Sequence, residues 1–329
     1  MTEPWRGRRV LVTGATGLIG SALCARLVEV GATTVALVRD HDPQSELFRA
    51  GTIRALHIVN GQLEDLSTVT RALAEHEIDT VFHLGAEAIV GTAYRNPLQC
   101  MESNVRGTYN LMEACRQQRG LLRRIVVASS DKAYGESTVL PYTEEMPMAA
   151  SNPYDVSKSC ADLISRAYAT SYELPVVVAR FGNIYGGGDL NFSRLIPGTI
   201  RDLLADRAPR IRSDGKFLRD YLYIEDAVDG YLALAQFASE PGAAGQAFNL
   251  GPKSPHAVLE VVSVLRALLG REDIEPLILA NCQGEIRDQH LASEKAKRLL
   301  GWSAAHSLEE GLRPTIDWYT SFLSGPLHV

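Results

Sequence analysis

Short apolar runs, each the length of a strand, alternate with helix-length patterns along the first part of the chain. Val10-Leu11-Val12, Val35-Ala36-Leu37-Val38, Ile58-Val59, Val81-Phe82-His83-Leu84, Ile125-Val126-Val127-Ala128 and Val176-Val177-Val178-Ala179 are the strand candidates. They are apolar throughout and do not alternate with polar residues. Strands of that kind are buried on both faces, as in a parallel sheet. Leu18, Leu23, Leu27 and Val30 recur at helical spacing until Gly31, and further helices are predicted over 66–77, 101–118 and 154–171. Repeated strand–helix–strand units predict a doubly wound α/β fold.

The pattern changes beyond residue 185, where Gly186-Gly187-Gly188 forms a break. A helix over 226–238 and the run Phe248-Asn249-Leu250 read as a return to the sheet, and 256–329 is helix-rich with short strands. Two units are expected: 1–185 with the return segment 226–252, and a smaller α/β unit from 186–225 plus 253–329. The 329 residues, 46% hydrophobic and 22% charged, can bury a large core without metal or disulfide staples. Against 39 Asp and Glu stand 33 Lys and Arg, a net charge of −6, which opposes nucleic-acid binding. Cysteines at 24, 100, 115, 160 and 282 are odd in number and lack CxxC spacing, which disfavours disulfides or a zinc site and fits a reducing compartment. No apolar run is long enough for a membrane helix. Arg6, Arg8 and Arg9 precede an apolar stretch, as in a signal peptide, but Thr13, Gly14, Thr16, Gly17 and Gly20 break that stretch. A cytoplasmic protein is expected.

Gly14-Ala15-Thr16-Gly17-Leu18-Ile19-Gly20 leaves the first strand and opens the first helix. Its glycines permit a tight turn and close approach of backbone to a pyrophosphate, and the helix N-terminus offers unpaired N–H groups. Nucleotide binding on a Rossmann-type sheet is the expectation. The GxxGxxG spacing resembles the short-chain dehydrogenase/reductase superfamily. At the end of the second strand stand Arg39 and Asp40. An acid there suits the ribose diol of NAD and an arginine suits the 2′-phosphate of NADP, so both cofactors remain open.

Tyr154 and Lys158 form a YxxxK pair that one helical face would carry one turn apart. Free tyrosine, with a pKa near about 10, is a poor base, and a nearby ammonium favours its phenolate. Ser129-Ser130-Asp131-Lys132 follows the fifth strand, at the edge where α/β ligand sites form.

Together these segments resemble the extended short-chain dehydrogenases/reductases that act on nucleotide sugars. The resemblance runs over nearly the whole chain. It includes His83-Leu84-Gly85-Ala86, Asn104 in NVRGT, SSDKAYG at 129–135, YDVSK at 154–158, RFGNIYGGGD at 180–189, RDYLYIED at 219–226 and KRLLGW at 297–302. Within that family an Asp at 131 resembles the 4,6-dehydratases more than the 4-epimerases. Asp-Lys in place of the commoner Asp-Glu, with Gly-Gly-Gly-Asp, is similar to the CDP-glucose branch.

The resemblance implies that Tyr154 takes the C4 hydroxyl proton of a nucleotide hexose, with Ser130 hydrogen-bonding that hydroxyl. Asp131 then protonates the C6 hydroxyl, which leaves as water, a step that calls for a protonated acid. The product implied is a 4-keto-6-deoxy sugar nucleotide. Lys132 stands where the commoner enzymes have a glutamate base. It acts as the base or positions a water or another acid, Glu87 and Glu136 being candidates. Gln62 and Leu63, with Leu84 and Ala86, are implied cofactor neighbours. Gln62 takes the place of an Asp that meets the adenine amine. Asn183, Arg219, Arg194 and Arg287 are expected on the diphosphate, with Glu87 near the substrate. His83 reads as a packed strand residue. A homodimer is implied, with helices 101–118 and 154–171 pairing as a four-helix bundle through residues such as Val105, Leu111, Met112, Cys160, Leu163 and Ile164. The alternatives are a 4-epimerase, a dehydratase of an unusual nucleoside or nucleotide, and a cofactor-sensing protein. The last would have no need to keep Tyr154, Lys158 and Ser130 together.

Overall fold

The computed structural model describes residues 5–281 and 285–325, so Cys282 and the last residues of the second predicted unit lie outside the described residues. The strands are β1 (Arg9–Thr13), β2 (Thr33–Val38), β3 (His57–Asn60), β4 (Thr80–His83), β5 (Arg124–Ser130), β6 (Val176–Phe181), β7 (Asn183–Tyr185), β8 (Arg210–Ile211), β9 (Leu218–Arg219), β10 (Tyr221–Tyr223), β11 (Ala247–Leu250), β12 (His256–Ala257) and β13 (Leu277–Ile278). The helices are α1 (Leu18–Glu29), α2 (Glu46–Arg49), α3 (Leu66–Glu75), α4 (Val90–Arg95), α5 (Pro97–Met101), α6 (Gly107–Gln117), α7 (Pro153–Tyr172), α8 (Leu195–Leu204), α9 (Ile224–Phe237), α10 (Val258–Leu269), α11 (Glu294–Leu300) and α12 (Leu308–Ser324).

Each predicted apolar run is a strand of one sheet, in the order β11-β6-β5-β4-β1-β2-β3, with parallel pairing throughout. Successive side chains of a strand point to opposite faces. Val10, Val12, Phe82, Val126 and Val177 pack on one side with Leu23 and Leu27 of α1 and Val228 and Tyr231 of α9. Leu11, Val81, Ile125, Val127, Val176 and Val178 pack on the other with Val69 and Leu73 of α3 and Leu111 and Met112 of α6. Both faces are therefore core, which is why the runs are uninterrupted. This is the predicted doubly wound, Rossmann-type sheet. The strand order turns between β1 and β4, and ligand crevices form at such a switch point. A third apolar cluster joins Ile196, Ile200 and Leu203 of α8, Val261 and Leu265 of α10, and Leu312, Ile316 and Tyr319 of α12.

The stretch predicted as one helix over 101–118 is more complex. A wider π turn over Glu102–Arg106 lies between α5 and α6. Such turns re-aim side chains, and here Asn104 is buried. Its Nδ2 donates to Ser157 Oγ at 2.8 Å and to the Glu87 carbonyl at 3.1 Å, while its Oδ1 accepts the Glu87 N–H at 2.7 Å. One side chain thus ties the loop after β4 to α7. Pro153 starts α7, where a missing N–H removes no helical hydrogen bond. No helix among the described residues is long and apolar enough to cross a membrane.

Candidate active site

The glycine loop sits at the switch point with little room to spare. Gly14 has φ +71°, and a Cβ there would meet Gly85 N at 2.7 Å. A Cβ on Gly20 would run into the Gly14 carbonyl oxygen. Gly17, by contrast, is exposed and has only the Gly14 oxygen near it, at 3.4 Å. It caps α1 without a side-chain hydrogen bond, and the first turn holds no acid. The result is an open helix N-terminus above a floor packed too closely for side chains, which fits a dinucleotide pyrophosphate.

The surrounding candidates fall in place around that loop. Leu84 and Gly85 leave β4 directly against Gly14, and Ala86 follows them in the chain. Leu63 is buried beneath Gly85 and Gly107, while Gln62 beside it is exposed. Thr16 is half-buried at the turn, and Leu18 and Ile19 pack toward the third apolar cluster. Arg39 and Asp40 follow β2 and pair with each other, Nε to Oδ2 at 2.6 Å.

His83 is packed, as expected. Its Nδ1 lies 2.9 Å from Thr13 Oγ1 and its Nε2 2.9 Å from Thr108 Oγ1. Thr108 in turn donates to the Asn104 carbonyl. That chain runs in one direction only if the ring is neutral with its proton on Nε2, a tautomer assigned from the network. Burial pushes the ring down to about 3, consistent with neutrality.

Tyr154 and Lys158 stand one turn apart on α7, which packs over β5 and β6. Lys158 is buried, donates from Nζ to the Ala128 carbonyl at 2.8 Å, and is pushed down to about 8 by burial. Tyr154 faces the Ser130 hydroxyl. Burial pushes its phenol up, against the pull of the Arg194 cation. That differs from the expectation of a lowered phenol. The Lys158 ammonium is turned to a β5 carbonyl, and desolvation outweighs the attraction of nearby charge.

Ser130 and Asp131 are both buried, and Ser130 Oγ donates to Asp131 Oδ1 at 2.9 Å. Ser130 Oγ also accepts the Lys132 N–H at 3.2 Å, which caps the short turn Asp131–Tyr134. Lys132 is half-buried and donates from Nζ to Gln289 Oε1 at 3.0 Å. Beneath this turn lies a buried support. Arg180 grips Asp162 at 2.8 and 3.1 Å and donates to Tyr134 Oη at 2.7 Å.

Three residues in this constellation escaped the sequence reading. Asp155 is buried, its Oδ1 has no hydrogen-bond partner, and the charges of Lys132 and Asp131 both reach it. Burial pushes its carboxyl up, against the Lys132 charge. Asp220, between β9 and β10, accepts the Leu291 N–H at 2.9 Å. Burial pushes it up to about 8; the Leu291 N–H opposes this and the Asp131 charge adds to it. Gln289 is fully buried, with an unpartnered Nε2. Asp155 lies in YDVSK and Asp220 in RDYLYIED, so both were within reach; Gln289 lies in no such motif.

The expected diphosphate ligands divide. Asn183 is half-buried on β7, beside Tyr221 of β10. Arg194 is largely exposed, pairs with Asp189 at 2.9 Å and reaches Tyr154 electrostatically. Arg287 is exposed. Arg219 differs from the expectation of an open fork. It is buried, and its guanidinium donates to the carbonyls of Leu218 at 2.8 Å, Arg287 at 2.5 Å and Ile286. Those contacts tie Arg219 to the backbone at Ile286 and Arg287. Glu87 is half-buried at the rim, and Glu136 is exposed.

A model of the NAD dependent epimerase/dehydratase family matches residues 10–251. The chain belongs to that family. It is an NAD-dependent enzyme of the extended short-chain dehydrogenase/reductase type. CDP-glucose 4,6-dehydratase of Salmonella typhimurium is 31% identical over 98% of this chain and 93% of its own length. The structure of DesIV, a dTDP-glucose 4,6-dehydratase of Streptomyces venezuelae with NAD and TYD bound, superposes with a TM-score of 0.86 at 27% identity, covering 95% of this chain and 97% of that one. UDP-glucose 4-epimerase of Thermotoga maritima with UDP-glucose gives 0.86 at 27% identity, covering 96% and 99%. Dehydratases and epimerases share the fold, so the site must separate them.

Proposed function

We propose that this enzyme is a nucleotide-hexose 4,6-dehydratase that releases a 4-keto-6-deoxy sugar nucleotide. Asp131 carries the reading. It is a buried carboxyl hydrogen-bonded to Ser130 and beside Tyr154. A 4-epimerase works at C4 alone and calls for no acid at C6; a dehydratase must protonate a leaving hydroxyl there. CDP-glucose is the candidate substrate, supported by the Salmonella relative.

The Gly14–Gly20 loop, the α1 N-terminus and Leu84–Ala86 would hold the NAD pyrophosphate, with Lys158 toward the nicotinamide end. When bound, NAD would supply an acceptor for the C4 hydride and, once reduced, a hydride source for C6. The positive charge that oxidised NAD would bring beside Tyr154 would offset burial and favour its phenolate; that phenolate accepts the C4 hydroxyl proton, and Ser130 Oγ hydrogen-bonds the same oxygen. The C4 carbonyl acidifies the C5 hydrogen. Asp155, with its unpartnered oxygen, accepts that proton directly or through water, and Lys132, held as a donor by Gln289, steadies the carboxylate. Asp131 gives its proton to the C6 oxygen, the C6–O bond breaks, water leaves and a C5–C6 double bond forms; Asp155 then returns its proton to C5 as C6 takes up the hydride, and the proton left on Tyr154 passes by way of Ser130 to restore Asp131. Asn183, Arg194 and Arg287 present donors to the substrate diphosphate, with Glu87 at the rim.

The third apolar cluster supports the division into 1–185 plus 226–252 for the cofactor and 186–225 plus 253–329 for the nucleotide sugar. A homodimer is supported by large apolar residues left exposed on α5, α6 and α7: Leu98 at 72%, Tyr109 at 42% and Leu163 at 54%. Leu111 and Met112, by contrast, are core. Light scattering after size exclusion tests the dimer; a monomer at working concentration refutes it. Among the described residues Cys24, Cys100, Cys115 and Cys160 are unbridged, which accords with a reducing, cytoplasmic setting.

Mass spectrometry of products from a panel of nucleotide hexoses with NAD tests the function. Loss of one water from one substrate supports the dehydratase. Unchanged mass with altered retention supports the epimerase instead. Asp155→Asn should stop exchange of the C5 hydrogen with deuterated solvent; continued exchange removes Asp155 from the base role.

A further inference from the structure

The Gly186-Gly187-Gly188 break is where α12 reaches back onto the cofactor sheet. Trp318 of α12 lies directly over Gly187, where a Cβ would meet the indole at 2.5 Å. A Cβ on Gly188 would lie 3.3 Å from Glu46 Cβ. Across that gap Trp318 Nε1 donates to Glu46 Oε2 of α2 at 3.0 Å. Trp318 also stacks on Phe322, with ring centres 4.8 Å apart and planes 14° apart. The Arg49 guanidinium sits 4.4 Å from the Phe322 ring centre and 5.3 Å from that of Trp318, within the range of cation–π attraction. Two aromatic rings of α12 thus clasp α2 by its first residue and its last.

The clasped element is one turn long, and a single turn does not hold itself. It carries the loop 39–45, which opens on Arg39 and Asp40. Residues 39–44 are exposed. Among the described residues the hydrogen bonds of that loop are local: Arg39 to Asp40, the Gln44 N–H to Asp42 Oδ1 at 2.9 Å, and the Ser45 N–H to the Asp42 carbonyl at 3.1 Å. His41 rests edge-on against Phe48 of α2, with ring centres 4.2 Å apart. The loop therefore takes its place from α2. Leu47 anchors that turn in the core on one side, and α12 anchors it on the other.

We infer that Trp318 is a positioning residue for NAD, through which α12 holds the loop that meets the adenosine ribose. The inference rests on the reading of Arg39 and Asp40 as that loop, and it is independent of the chemistry at C4, C5 and C6. Trp318 acts through Glu46, α2 and the His41–Phe48 contact. An exposed loop held in place before the cofactor arrives has less freedom to lose on binding. Freeing about one residue of it should weaken binding by about tenfold.

Calorimetric titration of the whole protein with NAD and with ADP-ribose, which lacks the nicotinamide, tests the clasp. Trp318→Leu should weaken both by about tenfold. A loss with NAD alone, or with neither, overturns the inference. Leu312→Ala lies on the same helix but in the third apolar cluster. It should lower the urea midpoint and leave both affinities as in wild type. An equal loss of affinity in that variant means that α12 acts through stability alone, and it overturns the inference. Where Trp318→Leu fails to fold, Trp318→Phe and Glu46→Leu each remove the same hydrogen bond. The double variant should then bind NAD no more weakly than the weaker single one, and additive losses overturn the clasp. Asp40→Leu combined with Arg39→Leu examines the underlying reading separately. Weakened NAD binding there, with wild-type binding in Trp318→Leu, sinks the clasp and keeps the loop. Unchanged binding there removes the loop from the cofactor, and the inference with it.

Discussion

Replacement of Asp220 by Asn should change how stability depends on pH, and the size of the change follows from its burial. The carboxyl is pushed from 3.8 to about 8 in the folded chain. Between those values the folded state keeps a proton that the unfolded state has released. Stability therefore falls as pH rises through the window, is unaffected below it, and carries the full penalty above it. Each unit of separation is worth about 1.4 kcal/mol, so the whole window amounts to on the order of 5 kcal/mol. Asn keeps an oxygen for the Leu291 N–H but has no proton to lose. Urea unfolding of both proteins at unit intervals from pH 5 to 9 isolates the effect. The variant should gain on wild type by up to about 1.4 kcal/mol per pH unit and level off above pH 8. A difference constant to within about 1 kcal/mol across that range refutes the reasoning, because it would mean that Asp220 titrates alike in both states.

Other substitutions probe the remaining parts. Gly20→Ala places a methyl group against the Gly14 carbonyl, so calorimetry should show NAD binding weakened by about tenfold or more; unchanged affinity removes the loop from the cofactor site. Asp162→Ala leaves Arg180, 1% exposed, without its partner and should cost about 3–5 kcal/mol in urea unfolding. Asp162→Leu with Arg180→Met should cost much less, since no charge is then stranded. Lys158→Met removes an ammonium that burial has pushed down to about 8, so it should stabilise the fold by on the order of 2 kcal/mol at pH 7 while turnover collapses. Tyr154→Phe should lower turnover by about 10²–10⁴-fold in a folded protein; near-normal turnover would exclude the phenol as the proton acceptor.

The sheet and the glycine loop were legible because their causes are local. A strand buried on both faces must be apolar at every position, so Val176-Val177-Val178 announces its place without reference to any distant residue. Gly14 and Gly20 are required by backbone only a few residues away or on the adjacent strand exit. The π turn at 102–106 was hidden because its composition continues the helical pattern on either side; only the bonds from Asn104 to Ser157 and Glu87 give the irregular turn a purpose.

The acid–base centre was half legible for a different reason. Tyr154, Lys158, Ser130 and Asp131 lie in two short motifs, but what surrounds them comes from the 286–291 segment, more than a hundred residues later. Gln289 meets Lys132, Leu291 meets Asp220, and the Ile286 and Arg287 carbonyls take the Arg219 fork. No periodicity encodes such meetings, and an arginine in a motif does not announce whether its fork is open to a ligand or closed on backbone. The returning segment therefore decides the chemistry: it holds Lys132 as a donor, turns Arg219 away from solvent, and leaves Asp220 without a cation beside Asp131. Burial and the lack of a cation favour the proton on Asp220, while Asp131 beside it keeps the Ser130 hydroxyl as its hydrogen-bond partner, placed to meet the C6 hydroxyl.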